Sequence, residues 1–275
     1  MSDEGPYGAL VETRLRVLTW NLWWRFGPWE RRRPAIAATI AALAPDVVAL
    51  QEVWGEQGGS DFAAELADGL GYHHAYAARL SLDGVDFGNA VLSRWPITAT
   101  ESTPLPAPPD KDEQRLVLRA DVDGPRGPLQ VFSTHLNWRF DHSAVRQDQV
   151  RTIAEAVAAA RPRSYPPIVG GDFNAVPDSD EMRMLTGRAA VPVEGLVFSD
   201  AWEASGDGGP GCTWSNANPY AVLDLEPDRR IDYVFVGWPK AGGRGHVTSC
   251  EVVGTQPVDG VVPSDHYGVL AELRY

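Results

Sequence analysis

Gly171-Asp172-Phe173-Asn174, reached through the apolar run Pro167-Ile168-Val169-Gly170, sets a carboxylate and a carboxamide two residues apart at the end of what reads as a buried strand. An acidic acceptor beside a neutral donor is what a site needs to hold both a water and an anion. Alone the motif is weak, because Asp-x-Asn also occurs in ordinary turns. Other polar tips give it weight: Trp20-Asn21, Gln51-Glu52, Thr134-His135, Arg230-Ile231-Asp232 and Ser264-Asp265-His266 each lie at or beside the end of a strand-like run. Functional groups on strand ends build a cleft across a sheet edge on a rigid support. The set comprises carboxylates, carboxamides and two histidines, with no cysteine. Oxygen-rich sets of this kind suit Mg²⁺, with Mn²⁺ as a substitute, rather than zinc or copper. Histidines beside them serve as proton carriers or anion donors. Metal-assisted hydrolysis of a phosphoester uses all of these groups.

Positioning such groups takes a mixture of strands and helices. Strands are expected at Arg14–Trp20, Asp46–Gln51, Tyr72–Ala78 and Asn89–Ser93, and helices at Glu30–Leu43 and Asp61–Leu70. Ile36, Ile40 and Leu43 share one face of the first helix. The proline-rich stretch Thr103–Asp110 cannot supply ladder donors and reads as loop between two halves of similar make-up. The second half predicts strands at Leu116–Val122 and Leu129–Thr134, a helix at Ser143–Ala160, and strands at Ile168–Gly170, Ile231–Val236, Val247–Val253 and Tyr267–Leu273. Arg146 shares the apolar face of that helix, which points to a structural ion pair with a buried carboxylate. Runs apolar on both faces, such as Val47–Leu50 and Tyr233–Val236, are the mark of sheets covered on each side.

The 275 residues, 44% of them hydrophobic, are enough for a sizeable core. A net charge of −13 counts against tight, passive binding along a nucleic-acid backbone. The acidic, polar start lacks the form of a signal peptide, and no window has the apolar length of a membrane span, so a cytoplasmic protein is expected. Cys212 and Cys250 lie far apart and suggest neither a disulfide framework nor a zinc site.

Thr-Trp-Asn21-Leu, Leu-Gln-Glu52-Val, Ser-Thr-His135-Leu, Gly-Asp172-Phe-Asn174-Ala, Arg-Ile-Asp232-Tyr-Val and Ser-Asp265-His266 together resemble the successive motifs of the endonuclease/exonuclease/phosphatase superfamily, in that superfamily's order. The resemblance spans Asn21 to His266 and implies an α/β fold: a four-layer sandwich of two packed, mostly antiparallel sheets with helices outside. It implies one such domain over 13–275, after a flexible segment at 1–12. It assigns Glu52 as the principal Mg²⁺ ligand, with Asn21 and Asp265 nearby. Asp172 positions or deprotonates the water, or binds a second metal, and Asn174 donates to the phosphoryl oxygens. His266 contacts the phosphate or acts as base, Asp232 fixes its tautomer, and His135 serves the leaving group or phosphate. Arg115 resembles a phosphate-contacting arginine, Thr213 and Trp214 fall where substrate is contacted, and Asn89 matches a mainly structural segment.

Bland readings stand beside these. Asn21 and Asp172 are also turn or cap residues, Glu52 also a partner for an arginine such as Arg146, and His135 and His266 also core histidines. His73, His74, His142 and His246 read as surface or loop residues, and Arg31-Arg32-Arg33 as a solvated helix face. Tryptophans following the tips (Trp23, Trp24, Trp29, Trp54, Trp138) either stack on substrate or pack within their own loops. The expected substrate is a small-molecule, nucleotide or lipid phosphodiester. A nuclease acting on DNA or RNA is the alternative, and a non-catalytic module on the same fold a further one.

Overall fold

A computed structural model describes residues 5–56, 59–108, 113–160 and 164–275. Its first half runs β1 (Arg14–Asn21), α1 (Trp29–Leu43), β2 (Val47–Glu56), α2 (Phe62–Leu70), β3 (His73–Leu82), β4 (Val85–Ser93) and β5 (Ile97–Pro104). The second half runs β6 (Leu116–Gly124), β7 (Gly127–His135), α3 (Ser143–Ala159), β8 (Ile168–Asp172), α4 (Asp180–Leu185), β9 (Phe198–Asp200), α5 (Ala201–Ser205), β10 (Asp232–Gly237), β11 (Val247–Val253) and β12 (Gly268–Arg274).

Two six-stranded sheets result, in the orders β11-β12-β1-β2-β4-β3 and β5-β6-β7-β8-β10-β9. Each has a single parallel pair, β1 with β2 and β7 with β8, and is otherwise antiparallel. Parallel neighbours require a crossover, and α1 and α3 supply the two. This is the expected α/β sandwich. Val17, Val47, Val91, Leu118, Val131, Val234 and Val269 fill the space between the sheets. A second core lies outside the first sheet, where Ile36 and Ile40 of α1 meet Leu18 and Val48. A third lies outside the second sheet, where Val150, Ile153 and Val157 of α3 meet Phe132 and Val169. Strands of the central layers therefore need apolar side chains on both faces, which the sequence supplies.

Several expectations are corrected. The stretch from Thr103 is not all loop: Thr103 and Pro104 close β5, and Pro109 and Asp110 lie outside the described residues. β5 is a sheet edge, where a proline at the strand end forfeits no internal ladder bond. Short elements β9, α4 and α5 carry too little periodicity to be foreseen. Of the segment 1–12 read as flexible, residues 1–4 lie outside the described residues, whereas Val11 N–H donates to Gly242 O and Gly242 N–H to Tyr7 O. Arg146 pairs as expected with a buried carboxylate, that of Glu181 at 2.6 Å, and not with Glu52. Both cysteines are free.

Candidate active site

Register alone brings the polar tips to one edge. β1 sets Asn21 beside Gln51, β7 sets His135 beside Asp172, and antiparallel β10 sets Asp232 opposite Asp172. Asp265 and His266 sit just before β12, the other neighbour of β1. The two sheets close tightly behind this edge because Gly170 has no side chain: a Cβ there would lie 2.7 Å from the Ala49 Cβ. Polar ties cross the same gap. Gln51 donates to Ser133 Oγ, Ser133 Oγ to Leu50 O, and Asn89 to the carbonyls of Leu116 and Ser133, the structural role expected of Asn89.

Glu52 is aimed by strain. The β2–β4 register slips between Leu50 and Val53, and Glu52 takes φ +52° within that bulge. Bulges re-aim side chains, and left-handed non-glycine residues cluster where function over-determines the backbone. Trp23 and Trp24 follow Asn21 with φ of +57° and +34°, and Asn174 has φ +50°. All four lie in the loops and strand ends around one cavity of about 440 Å³, whose wall includes Glu52, Arg115, His135, Asp172, Asn174, Trp214, Asp265 and His266.

Asn21 bridges the two sheets at the cavity floor. Its Nδ2 donates to Glu52 Oε1 (3.1 Å) and Asp172 Oδ2 (3.0 Å), while its Oδ1 accepts from Trp23 N (2.9 Å). Expected as a metal neighbour, it acts here as the donor that holds two carboxylates together. Asp172 Oδ1 accepts from Asn174 N at 2.9 Å. Burial, reinforced by Asp232 and partly countered by His266, pushes its carboxyl up to about 7. Asp265, pushed up to about 7 by burial and countered first by His266, is its counterpart on the other sheet. Burial likewise raises the Glu52 carboxyl.

The two histidines differ. His266 Nδ1 is 2.9 Å from Asp232 Oδ2, and its Nε2 is 3.7 Å from Asp172 Oδ2. Burial works against its cation, but Asp232, Asp172 and Asp265 outweigh burial and raise its pKa well above the usual range. His135 goes the other way, lowered by burial and by Arg115. Arg115 lies 3.0 Å from His135 Nδ1 and has only hydrogens to offer, so Nδ1 accepts and Nε2 carries the proton. That Nε2 lies 3.4 Å from Asp172 Oδ2 and 3.1 Å from Asn174 Nδ2, which donates to Leu136 O. One histidine is thus kept as a cation and the other as a neutral donor.

The donor chemistry fits a divalent metal. Glu52 Oε2 and Asp232 Oδ1 are buried without hydrogen-bond partners, and an orphaned carboxylate oxygen is costly unless a cation meets it. Asp172, Asp232 and His266 each bring a ligand atom within 4.8 Å of the others, so this buried trio is also able to hold a metal. Glu52 and Asp265 bring two further carboxylates to the wall of the same cavity.

Residues overlooked in the sequence complete the site. Arg32, read as part of a solvated face, is fully buried and donates to the carbonyls of Leu22, Trp23, Trp24, Phe26 and Pro263. It stitches the loop after Asn21 to the segment before Asp265, and burial pushes its guanidinium down to about 10. Glu113 accepts from Arg115 and Trp138 N through Oε1 and from Asn137 through Oε2. A charge run and an acid in a loop gave no signal for either. Thr213, expected at the substrate, is buried away from the cavity wall; its hydroxyl accepts from Ile231 N and Asp232 N and so seats Asp232. Trp214 does reach the cavity and meets the His266 ring edge-on, centroids 5.0 Å apart. Trp29 and Trp54 pack together, and Trp54 also stacks on Phe62, the bland outcome. Trp23 and Trp138 line the cavity. His142, read as surface or loop, is buried beside Asn137.

The profile of the Endonuclease/Exonuclease/phosphatase family matches residues 18–266. The protein YbhP of Escherichia coli K12 is 32% identical over 173 residues, 58% of this chain and 66% of that one. An inositol phosphosphingolipids phospholipase C of Schizosaccharomyces pombe is 30% identical over 205 residues, 68% of this chain and 46% of that one. The chain thus aligns with just under two thirds of YbhP and under half of the phospholipase. A solved endonuclease/exonuclease/phosphatase structure from Beutenbergia cavernae superposes with a TM-score of 0.70 at 28% identity, covering 95% of this chain and 71% of that one.

Proposed function

The chain belongs to the Endonuclease/Exonuclease/phosphatase family, and from that membership we propose that it is a Mg²⁺-dependent phosphodiesterase acting on a small-molecule, nucleotide or lipid phosphodiester. One observation carries the reading: the orphaned Glu52 Oε2, the shifted Asp172 carboxyl and the His266–Asp232 pair converge on one cavity with Arg115 at its wall. Glu52 and Asp265 would hold the cation, with Mn²⁺ able to replace Mg²⁺. When bound it offsets charge on the phosphoryl oxygens.

Asp172 takes the proton of the attacking water as the water oxygen bonds phosphorus and the ester oxygen leaves. A carboxyl near 7 is matched to that task, since a general base works best with its pKa near the operating pH. His266, held cationic and oriented by Asp232, faces the phosphate and shares the proton chemistry with Asp172. Neutral His135, its tautomer set by Arg115, donates from Nε2, and Asn174 adds a second donor for the phosphoryl oxygens. These donors are fixed before substrate arrives, so little reorganisation is needed in the transition state.

A nuclease is the alternative activity, and the −13 charge disfavours it. A panel of bis-p-nitrophenyl phosphate, nucleotides, sphingomyelin, inositol phosphates and plasmid DNA, each with Mg²⁺ and with EDTA, tests the proposal. Turnover is expected with Mg²⁺ alone, and Asp172→Asn is expected to lower kcat by roughly 10²–10⁴-fold with the fold retained. EDTA-resistant turnover, or near-normal rates in the variant, would sink it.

A further inference from the structure

Beyond the cavity floor, the mouth is bordered by large apolar side chains that the fold leaves in water. Among the described residues nine such side chains are exposed, and six of them, Phe26, Trp138, Phe140, Val222, Leu223 and Leu225, lie on the three loops around this one mouth. Phe26 and Trp138 line it, the 3-10 turn Ala221–Asp224 contributes the lining residue Asp224, and Phe140 packs under Arg229, another lining residue, 4.5 Å away. Monomeric surfaces rarely gather apolar side chains in this way without a partner to cover them.

Leu225 argues that the exposure has a purpose. It is 89% exposed and sits at φ +59°, a left-handed conformation that favours glycine or asparagine. A leucine there strains the backbone, and the described residues leave nearly all of its side chain in solvent. Leu223, 74% exposed, is equally unused.

We propose that this rim docks the protein onto a zwitterionic lipid layer, with the cavity mouth facing the headgroups. Three features select that occupant. The patch lies on three loops that border the mouth, so a rigid partner seated on all three would cap the cavity, whereas a fluid layer delivers headgroups into it. Aromatic and aliphatic tips mix with Arg139, over the Trp138 ring at 5.0 Å, and Arg229, the pattern of a protein surface that sits at a membrane interface. Asp224 and Glu226 at the mouth, and the −13 overall charge, disfavour an anionic surface. The corollary that the phosphodiester cleaved is itself a lipid rests on the phosphodiesterase reading; the docking does not.

The test combines vesicle co-sedimentation with turnover, using the full chain and the variant Phe140→Ser/Leu223→Ser/Leu225→Ser, none of whose positions lines the cavity. Wild type is expected to sediment with phosphatidylcholine vesicles, and the triple variant to bind at least tenfold more weakly while hydrolysing water-soluble bis-p-nitrophenyl phosphate within twofold of wild type. No vesicle binding by wild type, or equal binding by both proteins, overturns the proposal. So does a wild-type dimer in sedimentation velocity that the triple variant abolishes, because a second copy would then be the occupant. Vesicle binding without turnover of any phosphoester would refute the phosphodiesterase reading and leave the docking surface standing.

Discussion

At the cavity floor the polar side chains are tied to one another, Asn21 to two carboxylates and a backbone amide, Asp172 to Asn21 and Asn174, Asp232 to His266, while Glu52 Oε2 and Asp232 Oδ1 are left for a cation. At its rim, a few residues away along the same loops, Leu223 and Leu225 stand in solvent. The floor stores unfavourable energy in buried like charges and left-handed residues, and the tightly packed sheets hold it in place. Burial at the floor raises the Asp172 carboxyl to about 7, and the surrounding carboxylates raise the His266 pKa against the opposing effect of burial. The rim carries apolar surface that the described residues leave exposed. The difference teaches that chemistry needs a site that resists relaxation, whereas recognition of a soft surface needs side chains the fold does not use.

That contrast makes graded predictions. The largest effect belongs to Asp232→Asn, which keeps the shape but removes the charge that orients and charges His266. A drop in kcat of about 10³-fold or more is expected, with the melting temperature little changed. Rates within tenfold of wild type would show that the His266–Asp232 pair is structural only.

Next comes Arg32→Met, which keeps the stem but strands five carbonyls. A loss of about 3–5 kcal/mol is expected in urea unfolding, with weaker Mg²⁺ binding by calorimetry, because Asp265 and the loop after Asn21 lose their common anchor. Arg32→Lys keeps the charge without the planar fork and is expected to recover only part of the loss. Unchanged Mg²⁺ affinity in both variants would confine Arg32 to the fold.

A smaller effect is expected from pH in the metal-free protein. Asp172 and Asp265 have folded pKa values near 7, above their unfolded values, and His266 is raised as well. Groups raised on folding contribute stability that is complete below the unfolded pKa and is lost as pH rises through the folded one. Metal-free protein is therefore expected to be less stable at pH 8.5 than at pH 5.5, on the order of 1–2 kcal/mol, with millimolar Mg²⁺ stabilising it more at the higher pH. Melting curves at the two pH values check this, and a flat profile would mean that the floor is not strained by its charges. Rim substitutions stand at the bottom of the scale: Leu223→Ser and Leu225→Ser are expected to shift stability by less than about 0.5 kcal/mol at either pH.

The legibility of the molecule follows the same division. Motif residues at strand ends were readable because each is a polar residue ending an apolar run, and six such tips in a known order leave little room for accident. Glu52, His135, Asp172, Asn174, Asp265 and His266 all reach the one cavity. Asn21 and Asp232 are buried at its floor, hydrogen-bonded to those groups. Arg32 was misread because a run of three arginines on a helix looks solvated, and nothing local says that the middle one faces carbonyls of a distant loop. Thr213 and Trp214 were both placed at the substrate because the resemblance puts substrate contacts in the loop before Asp232, yet only Trp214 reaches the cavity, since in an extended stretch adjacent side chains point to opposite sides.

By itself the sequence determined the α/β class, the doubly apolar central strands and the inventory of groups for phosphoester chemistry, because these depend on residue type and short-range periodicity. Tertiary structure decided the rest. Which histidine is charged depends on carboxylates brought from other strands, and the amide orientation of Asn21 on a loop that turns back over it. The exposure of Phe140, Leu223 and Leu225 depends on how three loops end around one opening. Burial and proximity between residues far apart in the chain set pKa values and exposure, and neither is written in the order of the residues.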